Sequence, residues 1–409
     1  MKIALLHFSA PPIVGGVESV IAHHARLMTS SGHQVTLFAG RGESFDPAIR
    51  VRVLPLFDSR NSEVMAVKTE LDQGKCPDSF IQLRDRIQKI ILKEMQDFDV
   101  LIVHNVASLN KNLALTAALF NTYANPGFPR LILWHHDLAW TTPRYKNELY
   151  DAYPWQLLRQ DWPGATHVVI SETRRQELAN LIHLPESQIH VIPNGVDQNT
   201  FFKFSRKTEE LVEKLSLSDA DPLFLLPVRL TARKNIELAL RIIKALQRTY
   251  PRVMLLVTGP EGAHNQANKA YRQKLIRLRD ELHLQGAAHF LAEITPDFLS
   301  DEVIADFYRL SDALLFPSRE EGFGIPLIEA GFSGIPIFCT DLPVFRELGG
   351  EDLSYFSPDG DPEIIAGEIS TRLQSEKTSR WARRARHGYS WQCINRYYIE
   401  PIITGKESA

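Results

Sequence analysis

The stretch SDALLFPSREEGFGIPLIEAGFSGIPIF, residues 311–338, contains the change of hydrophobic pattern that decides the fold. The run ALLF is short and continuously apolar, the pattern of a strand buried on both faces. Gly-Phe-Gly at 322–324 reads as a turn. Pro326 suits the first position of a helix, where its missing N–H costs nothing. IPIF then opens another buried strand. Strand, glycine turn, helix and strand make the repeating unit of a parallel α/β sheet. Glu321 falls in the turn, and Glu329, eight positions on, lies one turn into the helix. Backbone N–H groups of Gly322, Phe323, Gly324 and Ile325 point forward from the helix N-terminus, an arrangement that attracts phosphate. Carboxylates on both sides of an anion site are odd unless the ligand also offers hydroxyls, which they accept well. A nucleotide sugar, a diphosphate between two sugars, offers both.

The same alternation runs outward in both directions. KIALLHF, QVTLFAG, VRVLPLF, DVLIVHN, RLILWHH, THVVISE and IHVIPNG are candidate strands of the first half. PLFLLPVR, RVMLLVTG, AAHFLAE, DALLFPS and IPIFCTD are those of the second. Helical patterns such as NIELALRIIKALQRTY lie between them. At 409 residues the chain exceeds a single core, and two domains are expected. The polar stretch IPNGVDQNTFFKFS places the boundary, with Rossmann-like domains over 1–195 and 196–385 and a closing helix over 386–409 that packs back towards the first domain. Two such domains facing one another leave a cleft lined by strand C-termini.

Composition excludes several classes. A net charge of -3 argues against a generic nucleic-acid binder, which carries a basic stripe. Three scattered cysteines, Cys76, Cys339 and Cys393, suit a reducing compartment and make no disulfide framework. The N-terminal run MKIALLHF is too short for a signal peptide or a membrane span and reads as a first strand, so a cytoplasmic protein is expected. The helix FIQLRDRIQKIILKEMQDF mixes Arg84, Arg86, Lys89 and Lys93 with Asp85, Glu94 and Asp97. That is a solvated face with at most peripheral affinity for a membrane.

Several constellations have both a chemical and a plain structural reading. Gly15 and Gly16, after the first strand, bring backbone N–H groups to a diphosphate or simply turn the chain into a helix opening near Val17; no G-x-G-x-x-G fingerprint is present. Arg229 and Lys234, five residues apart past a strand, neutralise a diphosphate leaving group or form an exposed basic loop. His135, His136 and Asp137 at another strand end serve as acid–base pair, hydroxyl binder or metal ligands, or are satisfied core groups. No further His or Asp stands at metal spacing beside them. The strings Asp219-Ala220-Asp221 and Asp359-Gly360-Asp361 sit beside prolines and read as turns, not metal–nucleotide motifs. Among the aromatics from Trp134 to Trp162, Trp140 and Tyr145 are the two placed to stack on a sugar; the others read as packing.

In order along the chain, these signals resemble the retaining family 4 glycosyltransferases of the GT-B fold. The matching segments are Gly15-Gly16, SGHQV at 31–35, His136-Asp137, VIPNGVD, VRLTARKN, VTGP with Gly259, FPSREEGFGIPLIEA and YSW, and they span nearly the whole chain. The resemblance implies that Glu321 binds hydroxyls of the donor sugar and Glu329 the nucleotide ribose. It implies that Arg229 and Lys234 hold the diphosphate, helped by N–H groups at Gly16 and Phe323 to Ile325, and that His136 meets the donor sugar near its reacting carbon. Gly259 and Glu293 fall on the donor side, while Asp137, Trp140 and Tyr145 are acceptor-side candidates. The acceptor is implied to attack the face the diphosphate leaves, so no enzyme nucleophile and no metal or other cofactor is expected. Two departures, Val228 where the family has glycine and Ala292-Glu293 where it has another, lie near the base and leave UDP, GDP or ADP open. The expected activity is transfer of a hexose from a nucleotide-diphosphate sugar to a hydroxyl, on a small soluble sugar-like acceptor. A lipid or envelope-glycan acceptor, a nucleotide-sugar epimerase or phosphorylase, and a non-catalytic sugar-nucleotide binder are the alternatives.

Overall fold

The computed structural model describes residues 1–260, 266–295 and 299–405. The chain forms two compact units, Met1–Gly195 together with the chain from Ile394 onward, and Val196–Cys393.

The first unit holds seven strands: β1 (Lys2–His7), β2 (Gln34–Ala39), β3 (Arg50–Val53), β4 (Val100–His104), β5 (Arg130–His135), β6 (Thr166–Val169) and β7 (Ile189–Val191). Their order is β3-β2-β1-β4-β5-β6-β7, every neighbour parallel. The second unit holds β8 (Leu223–Leu226), β9 (Met254–Val257), β10 (Ala288–Phe290), β11 (Ala313–Phe316), β12 (Ile337–Thr340) and β13 (Ser354–Phe356). Their order is β10-β9-β8-β11-β12-β13, again all parallel. These are two Rossmann-like α/β units. Each reverses its strand order once, between β1 and β4 and between β8 and β11. At such a reversal the connections leave in opposite directions and open a crevice beyond the strand C-termini.

Central strands are buried at nearly every position because helices cover both faces, which is why they read as unbroken apolar runs. In the helix Asp78–Met95, Phe80, Leu83, Ile87, Ile91 and Met95 face the core. The opposite face is a mesh of ion pairs, Arg84 to Asp85 and Arg86 to Glu63, with Glu94 held by Arg52. Trp134, Trp155 and Trp162 are fully buried in this unit. In the second unit the helix Ile236–Leu246 buries eight of its residues against the sheet, each large aliphatic side chain stabilising by about 1.5–3 kcal/mol.

Three details differ from the sequence reading. β13 is an additional edge strand of three residues, with Tyr355 and Ser354 only half buried, too short and mixed to stand out as an apolar run. The helix after the first strand begins at Gly16, one residue earlier than expected. Pro326 occupies the second position of the helix Ile325–Ser333, not the first; the N–H it lacks would have no helical partner at either. The C-terminal segment is helical over Trp391–Ile394 and Glu400–Thr404, with a π-turn at Asn395–Ile399 between. Pro401 lacks an N–H and crowds the carbonyl four residues back, so the turn ahead of it widens. Within the first unit this segment is tied down by Asn395 to Ser31 at 3.0 Å and by His33 to Glu400 at 3.1 Å.

Candidate active site

In the second unit the crevice between β8 and β11 is built by two loops. Past β8, a short turn at Ala232–Lys234 ends in Asn235, whose φ of 52° lies in the left-handed region and whose Nδ2 donates to the Pro358 carbonyl at 2.9 Å. This turn presents Lys234, which is buried. Its Nζ donates to Glu321 Oε1 from the loop past β11, while Arg233 Nη1 lies 3.7 Å from the other carboxylate oxygen. The loops are also joined through their backbones, Arg319 N–H donating to the Arg233 carbonyl at 2.8 Å. Lys234 Nζ stands 5.5 Å from the centre of the Phe316 ring at the end of β11. Arg229, on the same loop as Lys234, is exposed, and among the described residues no carboxylate pairs with it.

Gly324 starts the following helix at φ 108°, a conformation glycine adopts freely, and a Cβ there would meet the Phe345 ring at 3.0 Å. Among the described residues, the N–H groups of Phe323, Gly324 and Ile325 donate no hydrogen bond. The helix N-terminus therefore offers free donors beside a buried cation. Phe323 and Ile325 are more than half exposed. One turn along, Glu329 Oε2 accepts from the Tyr308 hydroxyl at 2.7 Å. Burial, then this carboxylate, hold the Tyr308 phenol far above the usual tyrosine range, so it remains a donor. At the end of β9, Gly259 packs so closely that a Cβ would lie 2.1 Å from the Val228 carbonyl oxygen. Its position sets the backbone next to Arg229. Val228, the departure from the usual glycine, is buried. Glu293 is held by Arg279 through bonds of 2.5 and 3.1 Å.

In the first unit, Gly15 precedes the helix Gly16–Ser30 in extended conformation, and the space around Gly16 is open. The Glu18 carboxylate folds back over this helix start. Its Oε2 lies 2.0 Å from where a Cβ of Gly15 would be, and Oε1 accepts from the Ser9 hydroxyl at 2.5 Å. Past β4, Asn105 adopts φ 61° and its Oδ1 accepts the N–H groups of His136 at 2.7 Å and Asp137 at 3.2 Å. His136 is thus held at the end of β5, buried, its Nε2 3.1 Å from His104 Nδ1. Burial, then the neighbouring His7, lower its pKa to about 3, so the ring is neutral near pH 7. Asp137 lies 3.9 Å from Arg174. Trp140 donates to the Trp155 carbonyl at 3.3 Å and has the Arg159 guanidinium over its ring, while Tyr145 packs on the unit's core beneath Arg144.

The structure therefore brings Lys234, Glu321 and the Phe323–Ile325 amides to one crevice, with Glu329 on the helix they begin. His136, Asp137, Gly15 and Gly16 lie at strand ends of the other unit. The Asp-x-Asp strings carry structural contacts: Asp361 caps the helix Pro362–Ser375, Asp359 pairs with Arg319 at 2.7 Å, and Asp221 accepts from Arg252 at 3.4 Å. Among the described residues no group of three or more His, Cys, Asp or Glu is placed to hold a metal. Sequence reasoning missed Tyr308, Arg233, Asn105, His104 and Glu18. Only His104 and Asn105 left a signal, a polar His-Asn pair ending an apolar strand.

Residues 14–200 match the family described as Glycosyltransferase Family 4, and residues 207–388 that described as Glycosyl transferases group 1. The chain belongs to this family of glycosyltransferases and is a hexosyltransferase. It is 26% identical to mannosylglucosylglycerate synthase of Petrotoga mobilis, over 85% of this chain and 84% of that protein. It is 24% identical to the MMP alpha-(1->4)-mannosyltransferase of Mycolicibacterium hassiacum, over 96% of each. With mannosylfructose-phosphate synthase of Agrobacterium fabrum the figure is 27%, over 52% of this chain and 46% of that one. Among the described residues no helix is long and apolar enough to cross a membrane.

Proposed function

We propose that the enzyme transfers a mannosyl group, with retention of configuration and without a metal ion, from a nucleotide-diphosphate sugar to a hydroxyl of a small sugar-like acceptor. The observation that carries this is the Lys234–Glu321 pair at the reversal of strand order in the second unit, beside a helix start with unmet N–H groups. A diphosphate and a sugar ring need such a set together: cations and amides for charge, a carboxylate for hydroxyls. The choice of mannose and of a small acceptor is supported by the names of the relatives above. In the step, the C1–O bond to the diphosphate breaks, the acceptor oxygen bonds to C1 on the same face, and its proton passes to a diphosphate oxygen. Arg229 and Lys234 meet charge that grows on the leaving group, and Glu321 orients the sugar. Glu329 takes the ribose with Tyr308 steadying it. Gly259 shapes the Arg229 loop, and Gly15, Gly16, His136 and Asp137 serve from the first unit.

The test is a thermal-shift screen of UDP, GDP and ADP, followed by product mass spectrometry with the matching sugar nucleotides and pooled small acceptors. Transfer is expected to survive excess EDTA, because protein cations take the place of a divalent ion at the leaving group. Loss in EDTA with rescue by magnesium or manganese would overturn the metal-free reading, and absence of any transfer from a nucleotide sugar would overturn the donor class.

A further inference from the structure

We propose that His104 is a positioning residue that fixes His136 in its Nδ1–H form, so that His136 enters the reaction as a hydrogen-bond donor and not as a base. The inference rests on the proposed place of His136 at the donor sugar.

His104 ends β4 and His136 follows β5, and their rings meet Nδ1 to Nε2 at 3.1 Å. One of these nitrogens carries the hydrogen and the other accepts it. The deciding atom is the far nitrogen of His104. Its Nε2 is buried and has no hydrogen bond among the described residues. If His136 were the donor, the hydrogen of His104 would sit on that nitrogen, a buried N–H with nothing to receive it. If His104 is the donor, only a lone pair goes unmet. Buried N–H groups without acceptors are rarer in folded proteins than under-satisfied acceptors. His104 Nδ1–H therefore donates, and His136 is left with its hydrogen on Nδ1.

The surroundings hold this arrangement in place. His7 Nδ1 donates to the His104 carbonyl at 2.8 Å, which fixes the end of β4. Asn105 Oδ1 accepts the N–H groups of His136 and Asp137 and fixes the end of β5. Burial keeps both rings neutral, lowering the pKa of His136 to about 3 and that of His104 well below the usual value. The only basic nitrogen of His136, Nε2, is taken by His104. His136 can then donate from Nδ1 to an oxygen of the sugar or leaving group, but it cannot collect the acceptor's proton, which passes to the diphosphate.

The test uses the full-length chain with 15N-labelled histidine. Long-range proton–nitrogen spectra near pH 7.5, with His136 assigned by loss of its signals in His136→Gln, are expected to show a bare Nε2 and a protonated Nδ1. His104→Asn retains an N–H near the Nδ1 position and is expected to keep both the tautomer and most of kcat. His104→Leu removes the donor; His136 then shows mixed tautomers and kcat falls about tenfold at unchanged donor KM, the worth of one neutral hydrogen bond. A protonated Nε2 on His136 in the unmodified enzyme overturns the inference. The expected tautomer with kcat unmoved by His104→Leu overturns instead the place given to His136 at the donor sugar.

Discussion

Lys234 and Glu321 face each other with side chains only 11% and 10% exposed. Removing one partner of such a pair leaves an uncompensated charge and costs roughly 3–5 kcal/mol. Lys234→Ala therefore lowers Tm as well as turnover, and its kinetics alone do not isolate a leaving-group role. Arg229 does, because it is exposed and no carboxylate among the described residues holds it. Arg229→Ala is expected to fold normally and to lower kcat about 100- to 1,000-fold, by analogy with loss of one oxyanion donor, with a much smaller change in donor KM. Arg229→Lys restores part of this, since a point charge lacks the planar fork. A near-normal kcat in Arg229→Ala, at normal Tm, would make Arg229 a bystander. The two glutamates divide differently. Glu329→Ala is expected to weaken binding of the bare nucleotide diphosphate, and Glu321→Ala to spare that affinity while damaging transfer. Calorimetric titration of both variants checks this; equal loss of nucleotide affinity would contradict it.

Elements set what was legible. The central strands were, because burial on both faces removes polar residues from them. β13 was not, because an edge strand of three residues keeps a half-buried, mixed composition. The glycine turn before the helix Ile325–Ser333 was legible because only glycine is at ease at φ 108°. Pairings between elements were not. Glu329 and Tyr308 come from successive helices, and Lys234 reaches Glu321 across 87 residues, a partner its basic loop does not announce. The histidines at the ends of β1, β4 and β5 lie far apart in the sequence and are packed together in the fold. His7, His24, His104, His135 and His136 are all buried in the first unit, and burial above all lowers each of their pKa values, His7 to about 4 and His24 and His136 to about 3. Between about pH 4 and 6.5 these rings are neutral when folded and protonated when unfolded. The unfolded state then binds more protons, so stability rises with pH across that window and falls on acidification, by about 1.4 kcal/mol per pH unit for each histidine. Melting followed from pH 7.5 to 4.5 is expected to show a falling Tm with loss of the first unit's amide protection ahead of the second's. A Tm flat over this range would contradict the buried-neutral assignment.

The whole molecule is two Rossmann-like units on one chain, and its C-terminal segment belongs with the N-terminal unit. Within that unit Arg130 donates to the carbonyls of Ile402 and Ile403, so the last turns are part of its fold. Cations, amides and carboxylates are gathered at the strand ends of the second unit, with a neutral histidine and glycine-opened helix at those of the first. The reaction proposed above assigns no member of this set the role of nucleophile and uses its cations for the charge of a departing diphosphate. In the proposed reaction the sugar is transferred on the face the leaving group vacates. The most direct measurement is the anomeric configuration of the new linkage, read by NMR from the product formed with an α-linked nucleotide-diphosphate mannose and a small acceptor. An α-linkage is the predicted result, and a β-linkage would contradict the account.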